Sequence, residues 1–348
     1  MHRTTKSCCS RWLRRAAALA CAALAALAAG CAAEAEPQVL RVGVALYTQD
    51  DTFIASIAQE LERLAREQEQ TGGVRIDLSV VDGRSNQTTQ LDQIDNLIGR
   101  GCDALCVNIV DRTAAAVLID KAQTAQVPLI FFNRQPVAED ILRWERTYYV
   151  GARAEEGGML QGRLVLEAWQ ADPALDRNGD GVLQYVMLEG EPGHQDALLR
   201  TEYAVKTLTD AGVEVEKLAS DTANWKRGQA MARTLQWLEE LGDGVEVVFA
   251  NNDDMALGAI DAYQQTQRPL PLVVGVDATA PALEAVAQGQ LYGTVLNDSS
   301  GIARSMLDLV LALGAGEDPA ETLPLEEGHY IWLPHRPVTA QNLEEFVS

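Results

Sequence analysis

Basic residues, aromatics and cysteines are all scarce in this chain, and each shortage removes a class of function. Lysine and arginine total 28 against 50 acidic residues, a formal charge of −22 over 348 residues. So acidic a surface repels phosphate backbones and argues against nucleic-acid binding. Nucleophile elbows built on serine or cysteine, a Walker A loop and a dinucleotide glycine fingerprint are all missing from the sequence. Aromatics make up 5% of the residues, so the few that fall in loops stand out.

The first thirty residues have the layout of an export signal. Arg3, Lys6, Arg11, Arg14 and Arg15 form a basic stretch without an acid, and Ala16 to Ala29 is an apolar run too short to span a bilayer comfortably. It ends in Leu27-Ala28-Ala29-Gly30-Cys31, small residues directly before a cysteine. That pattern predicts a lipoprotein signal over 1–30, lipidation of Cys31 and a tether over 31–37. Without residues 1–30 the charge becomes −27, because Lys+Arg falls from 28 to 23. Three cysteines then remain. Cys102 and Cys106 are too far apart along an extended chain to bridge, so buried free thiols are expected.

From Leu40 onward, apolar strand-like runs alternate with amphipathic segments such as Phe53–Gln68, Thr88–Ile98 and Ala197–Ala211. Continuous apolar strands separated by helices predict parallel sheets covered on both faces. About 300 residues exceed one core of this kind, so the fold class is α/β with two doubly wound parallel-sheet lobes. Ligands of such sheets bind beyond the carboxyl ends of the strands. Almost every strand here ends in Asp or Asn: Asp50 and Asp51, Asn108 and Asp111, Asn133, Asn251 and Asn252, Asp277, Asn297 and Asp298. Any one of them is explained as a helix cap. Together they suit a ligand covered in hydroxyls. Phe53 and Trp225 lie at junctions among polar residues, where they fit the apolar faces of a sugar ring.

Asp176-Arg177-Asn178-Gly179-Asp180-Gly181-Val182-Leu183-Gln184 reads as the first three-quarters of a calcium loop. Met187 stands where a bidentate Glu belongs, and Leu183 to Leu188 reads as a strand where a helix should follow. Either the loop is a calcium-free turn, or a carboxylate arrives from elsewhere in the fold.

Gly43-Val44-x-x-Tyr47-x-x-Asp50-Asp51-x-Phe53, Gly190-Glu191-Pro192-Gly193-His194-x-Asp196-x-x-x-Arg200, Asp221-Thr222-Ala223-x-Trp225 and Gly293-Thr294-Val295-Leu296-Asn297-Asp298 resemble the periplasmic D-galactose/D-glucose-binding proteins, sugar receptors of bacterial ABC importers. The similarity runs from about Arg41 to the C-terminus. It implies a sugar site of Asp51, Phe53, Asn108, His194, Asp196, Arg200, Trp225, Asn252, Asp277 and Asn297, with Phe53 and Trp225 sandwiching the ring. In this reading Asp51 takes the 4-hydroxyl, His194 the side near O6, and Asp196 with Arg200 the anomeric end. The resemblance also supplies the missing calcium ligand. The set becomes Asp176, Asn178, Asp180, the Val182 carbonyl, Gln184 and Glu246.

The family's topology implies a three-segment hinge, with lobe one over 38–133 and 297–329 and lobe two over 134–296 and 330–348. A monomer is expected, lipid-anchored outside the cytoplasm, with D-galactose or D-glucose as ligand and an ABC permease as partner. The alternative partner is a chemoreceptor or sensor kinase. An enzyme is not expected, because carboxylates pinned by several donors make poor general acids. A sugar-responsive repressor would need a DNA-binding headpiece where this chain has an export signal.

Overall fold

A computed structural model describes residues 38–347. The signal segment, Cys31 and the tether lie outside the described residues. Two six-stranded sheets carry the fold. The first orders its strands β11-β5-β4-β3-β1-β2, with β1 Gln38–Leu46, β2 Val74–Asp82, β3 Ala104–Val107, β4 Leu129–Phe132, β5 Thr147–Ala152 and β11 Tyr330–Leu333. The second repeats that plan as β12-β10-β9-β8-β6-β7, with β6 Val182–Glu189, β7 Glu214–Thr222, β8 Val247–Ala250, β9 Leu272–Val274, β10 Gly293–Leu296 and β12 Arg336–Thr339. Pairing is parallel between neighbours such as β1 and β3 or β6 and β8, and antiparallel between β10 and β12. The central strands Ala104–Val107, Leu129–Phe132, Val247–Ala250 and Leu272–Val274 are buried at every residue. That burial is why they read as unbroken apolar runs rather than alternating ones.

Helices cover both faces of each sheet. In lobe one, α1 (Thr52–Gly72) buries Ile54, Ile57, Leu61 and Leu64 against Ile302, Met306 and Leu309, which come from a helix 240 residues later in the chain. The other face takes α2 (Gln87–Gly99) and α3 (Ala115–Ala125), which pack Ile94, Leu97, Leu118 and Ile119 on Leu105 and Phe131. A single helical turn, α4 (Ala138–Ile141), follows. Lobe two is flanked by α5 (Ala154–Ala171) with α6 (Gln195–Asp210) on one face, and by α7 (Arg227–Leu241) with α8 (Asp253–Thr266) on the other. The remaining helices are α9 (Ala280–Ala287), α10 (Ser299–Gly314) and α11 (Pro319–Thr322). Each fully buried aliphatic side chain in these layers contributes about 1.5–3 kcal/mol. Cys102 and Cys106 are free and buried, and burial pushes their thiols up to about 11 and about 12.

Sheet pairing corrects the expected lobe boundaries. β5 joins β4 in the register Leu129↔Thr147 to Phe132↔Val150, and β11 joins β5 through Tyr330↔Tyr149. Residues 134–152 and 330–333 therefore belong to lobe one. The crossing expected at Asn133 falls after Ala152, and the one expected at His329 falls after Leu333. The third comes where α10 leaves β10 to pack on lobe one. The run Thr147–Ala152 would fit either sheet by composition. What decides is the packing of Trp144 and Tyr149 into the Phe131 core.

Candidate functional site

Parallel strands deliver their carboxyl ends, and the start of each following helix, to one edge of the sheet. The two edges face each other across a cleft. Lobe one supplies Tyr47, Asp51, Phe53 and Ile54 after β1, and Asn133 and Arg134 after β4. Lobe two supplies His194, Asp196 and Arg200 after β6, Trp225 after β7, Asn252 after β8 and Asp277 after β9. These residues line a narrow cavity of about 30 Å³ between the two walls.

Eight of the ten residues expected at a sugar site are in this lining. Asn297 adjoins it, with Nδ2 donating to Asp277 Oδ1 at 3.3 Å. Asn108 is outside that lining, behind Asn133. It is fully buried, donates to the Phe132 carbonyl at 3.0 Å and Asn133 Oδ1 at 3.3 Å, and accepts from Tyr47 N at 3.4 Å. Its amide meets strand ends, while Asn133, at φ 58°, reaches the cavity. Tyr47, Asn133 and Arg134 were not singled out as contacts, although Asn133 was legible as one more strand-ending Asn.

On the lobe-two wall, Arg200 is buried and organises the carboxylates. It donates to Asp196 Oδ2 at 3.0 Å and to the Asn251 carbonyl at 2.9 Å, and lies 3.7 Å from Asp277. Its helix can sit this close to α5 because Gly162 faces Ala204. A Cβ there would come within 2.4 Å of the Ala204 carbonyl oxygen. Burial raises the pKa of Asp196 and of Asp277, with Arg200 opposing in both. Asp277 has φ 119° and Trp225 φ 65°, conformations that cost a non-glycine residue about 1–3 kcal/mol and persist only when their surroundings impose them. Asp253 does so for the first: it is wholly buried, takes hydrogen bonds from Thr294 Oγ1 (2.6 Å) and Thr279 N (2.8 Å), and donates its own N–H to the Val276 carbonyl. For the second, Gly190 leaves room for the indole, since a Cβ there would lie 2.1 Å from it.

His194 caps α6 by accepting the Asp196 N–H at Nδ1 (3.1 Å), which places its proton on Nε2. Burial, then Arg134, Arg200 and Arg112, hold its pKa well below the usual range, so the ring is a neutral donor at pH 7. It meets Trp225 edge to face at 5.1 Å. Arg200 Nε and Trp225 Nε1 are buried without a partner. Such donors are costly unless a ligand oxygen reaches them.

The lobe-one wall is lighter. Asp51 caps α1 through Ile54 N at 3.0 Å and accepts the Tyr47 hydroxyl at 2.6 Å. Arg134 lies 3.6 Å over the Tyr47 ring. Direct bonds also span the cleft: Arg134 to Glu191 at 2.8 Å, Gln195 to Gln135 at 3.0 Å and Thr52 to Asp254 at 2.7 Å.

Away from the cleft, the 176–184 loop turns through Gly179 and Gly181 at φ 75° and 79°. Asp176 accepts from the N–H groups of Gly179, Asp180 and Gly181. Glu246, almost fully buried, closes the loop from 60 residues away by accepting from Arg177 N (2.6 Å) and Gln184 N (3.0 Å). Gln184 gives its NH₂ to Asp180, and its buried Oε1 has no partner. Burial raises the pKa of Glu246, and Asp176 and Asp180 add to the rise. Among the described residues no three carboxylate, imidazole or thiolate groups form a metal cluster by themselves. The loop's further oxygens are amides and a carbonyl.

A model of the periplasmic binding protein domain matches residues 42–318. The D-galactose/methyl-galactoside binding periplasmic protein of Haemophilus influenzae is 37% identical over 325 residues, 93% of this chain and 96% of that one. A putative rhizopine-binding protein of Rhizobium meliloti is 33% identical over 308 residues, 88% and 92% of the two chains. Among solved structures, an ABC transporter solute binding protein of Bacillus halodurans with bound myo-inositol matches with a TM-score of 0.74 at 26% identity, over 90% of this chain and 98% of that one.

Proposed function

This chain belongs to the periplasmic binding protein family, and from that premise we propose that it captures D-galactose or D-glucose between its lobes and delivers it to the permease of an ABC importer. It is an extracytoplasmic binding protein, not an enzyme. One observation carries the choice of ligand. The cavity is lined by alternating acceptors and donors from both lobes, with Phe53 and Trp225 among them, and it holds buried donors that lack partners. A hydroxyl-covered ring accepts and donates at every carbon, and its C–H faces suit the two aromatics. One relative is named for a galactoside and a solved structure of similar fold holds myo-inositol, both polyhydroxylated rings. A sugar touching both walls favours the closed state by its differential contacts. Titration calorimetry against hexoses and pentoses tests this. Galactose or glucose is expected to bind at least tenfold more tightly than ribose or xylose, and the reverse order sinks the hexose assignment.

Calcium belongs to the same reading. Asp176, Asn178, Asp180, the Val182 carbonyl, Gln184 and Glu246 would hold it. Three mutually repelling carboxylates and the orphaned Gln184 oxygen suit a hard dication. The ion would tie the loop to Glu246 inside lobe two and take no part in sugar contact. A ligand bound only by the folded state adds about 2.7 kcal/mol at a hundredfold excess over Kd. EDTA should therefore lower the melting temperature by several degrees while sugar binding persists, and Glu246→Gln should reproduce the loss. Unchanged melting with no metal in the purified protein leaves the loop a plain turn.

Lipidation of Cys31 completes the proposal. The protein should then partition with membranes, and Cys31→Ser should release it or stall its processing.

A further inference from the structure

A second cavity of about 680 Å³ adjoins the sugar site and shares its Arg134 and His194 wall. Lobe one gives it Arg112 and Gln135, and lobe two gives it Glu191 and Gln195. Its lining carries two acids, Asp111 and Glu191, and two arginines, Arg112 and Arg134. Glu191 is spent on Arg134 at 2.8 Å. Asp111 is exposed and accepts from the Thr113 N–H (2.9 Å) and hydroxyl (2.7 Å). Arg112 forms no ion pair among the described residues. It makes one long bond, from Nη2 to the Pro136 carbonyl at 3.4 Å, and its Nε is buried without an acceptor.

An arginine without an ion-pair partner beside the ligand site, its buried Nε lacking an acceptor, has room for a negative partner. We propose that this cavity is a subsite for an anionic substituent, a carboxylate or phosphate, carried by the sugar on the side that faces His194. The inference rests on the sugar-binding reading and extends it from neutral hexoses to acidic ones. Guanidinium–oxyanion bonds are charge-assisted and form two at a time where geometry allows. Arg112 would supply the charge, and the amides of Gln135 and Gln195 the flanking hydrogen bonds. Arg134 keeps its place against Glu191 and Tyr47 and need not move.

The test is titration of the full mature protein with glucose, galactose, glucuronate, galacturonate and glucose 6-phosphate, repeated on Arg112→Gln. At least one anionic sugar should bind within about tenfold of the better neutral hexose. Arg112→Gln should weaken that anionic sugar at least tenfold and leave the neutral hexose within twofold, which also certifies the fold. Raising salt from about 20 to about 500 mM should weaken the anionic ligand alone. The proposal is overturned if every anionic sugar binds more than a hundredfold worse than the hexoses. It is equally overturned if Arg112→Gln leaves the anion's affinity within twofold, or lowers both ligands alike. Failure of the neutral hexoses to bind would instead count against the sugar-binding reading itself. Glucuronate and glucose 6-phosphate, compared with each other, tell carboxylate from phosphate.

Discussion

On the lobe-two side of the cleft, Arg200 ties Asp196, Asp277 and the Asn251 carbonyl into one buried network, and two lining residues are held at positive φ. On the lobe-one side, Asp51 is an ordinary helix cap that also takes a tyrosine hydroxyl. One wall is thus locked before any ligand arrives. The other is hung on helix starts and on bonds that reach across the cleft. The difference teaches that affinity should depend most on the locked wall, and discrimination between similar sugars on the lighter one.

Arg200→Met attacks the locked wall directly, because it leaves two buried carboxylates without their cation. Removing one partner from a buried pair costs about 3–5 kcal/mol. Binding should weaken at least about a hundredfold and the melting temperature should fall, by calorimetry on both counts. Affinity within tenfold of the native protein would mean that lobe two is not pre-organised by Arg200. Trp225→Ala removes one apolar face from the same wall, worth about 2–4 kcal/mol. All accepted sugars should lose at least about 30-fold, with their ranking intact. A loss under threefold would make the indole mere core.

Asp51 is the probe of the lighter wall. Hydrogen bonds to a charged group contribute about 1.5–3 kcal/mol, so Asp51→Ala should cost about 10- to 150-fold. Asp51→Asn is the sharper experiment. A carboxylate accepts from a 4-hydroxyl in either orientation, whereas an amide offers one acceptor and one donor face. Glucose and galactose should therefore suffer unequally. Equal losses would erase the assigned division of labour between the walls.

Much of this was legible in the sequence because strand ends and helix caps are local features. Asp51, His194 and Asn252 cap their helices and line the cavity at once, so the capping reading does not compete with the binding reading. Illegible features depended on backbone sign or on remote pairing. Nothing in Phe132-Asn133-Arg134 announces the positive φ that turns Asn133 inward. Nor does it announce that Arg134 will stack on Tyr47, 87 positions earlier. Asn108 could not be placed from sequence for the same reason: its amide meets three neighbours that lie far along the chain. Lobe boundaries slipped because membership of a sheet is fixed by register with strands far away.

The interleaving of the two lobes along the chain also sets a timetable for folding. The apolar face of α1 waits for α10, and the first sheet lacks its edge strand until Tyr330–Leu333 has been made. During synthesis from the N-terminus, lobe two can therefore close most of its core while lobe one stays open. Ile54, Ile57, Leu61 and Leu64 can pack on the sheet early but lack the α10 part of their cover until Ser299–Gly314 has been made. A chain that cannot finish its first half until its last residues emerge is slow to compact and sticky in the interval.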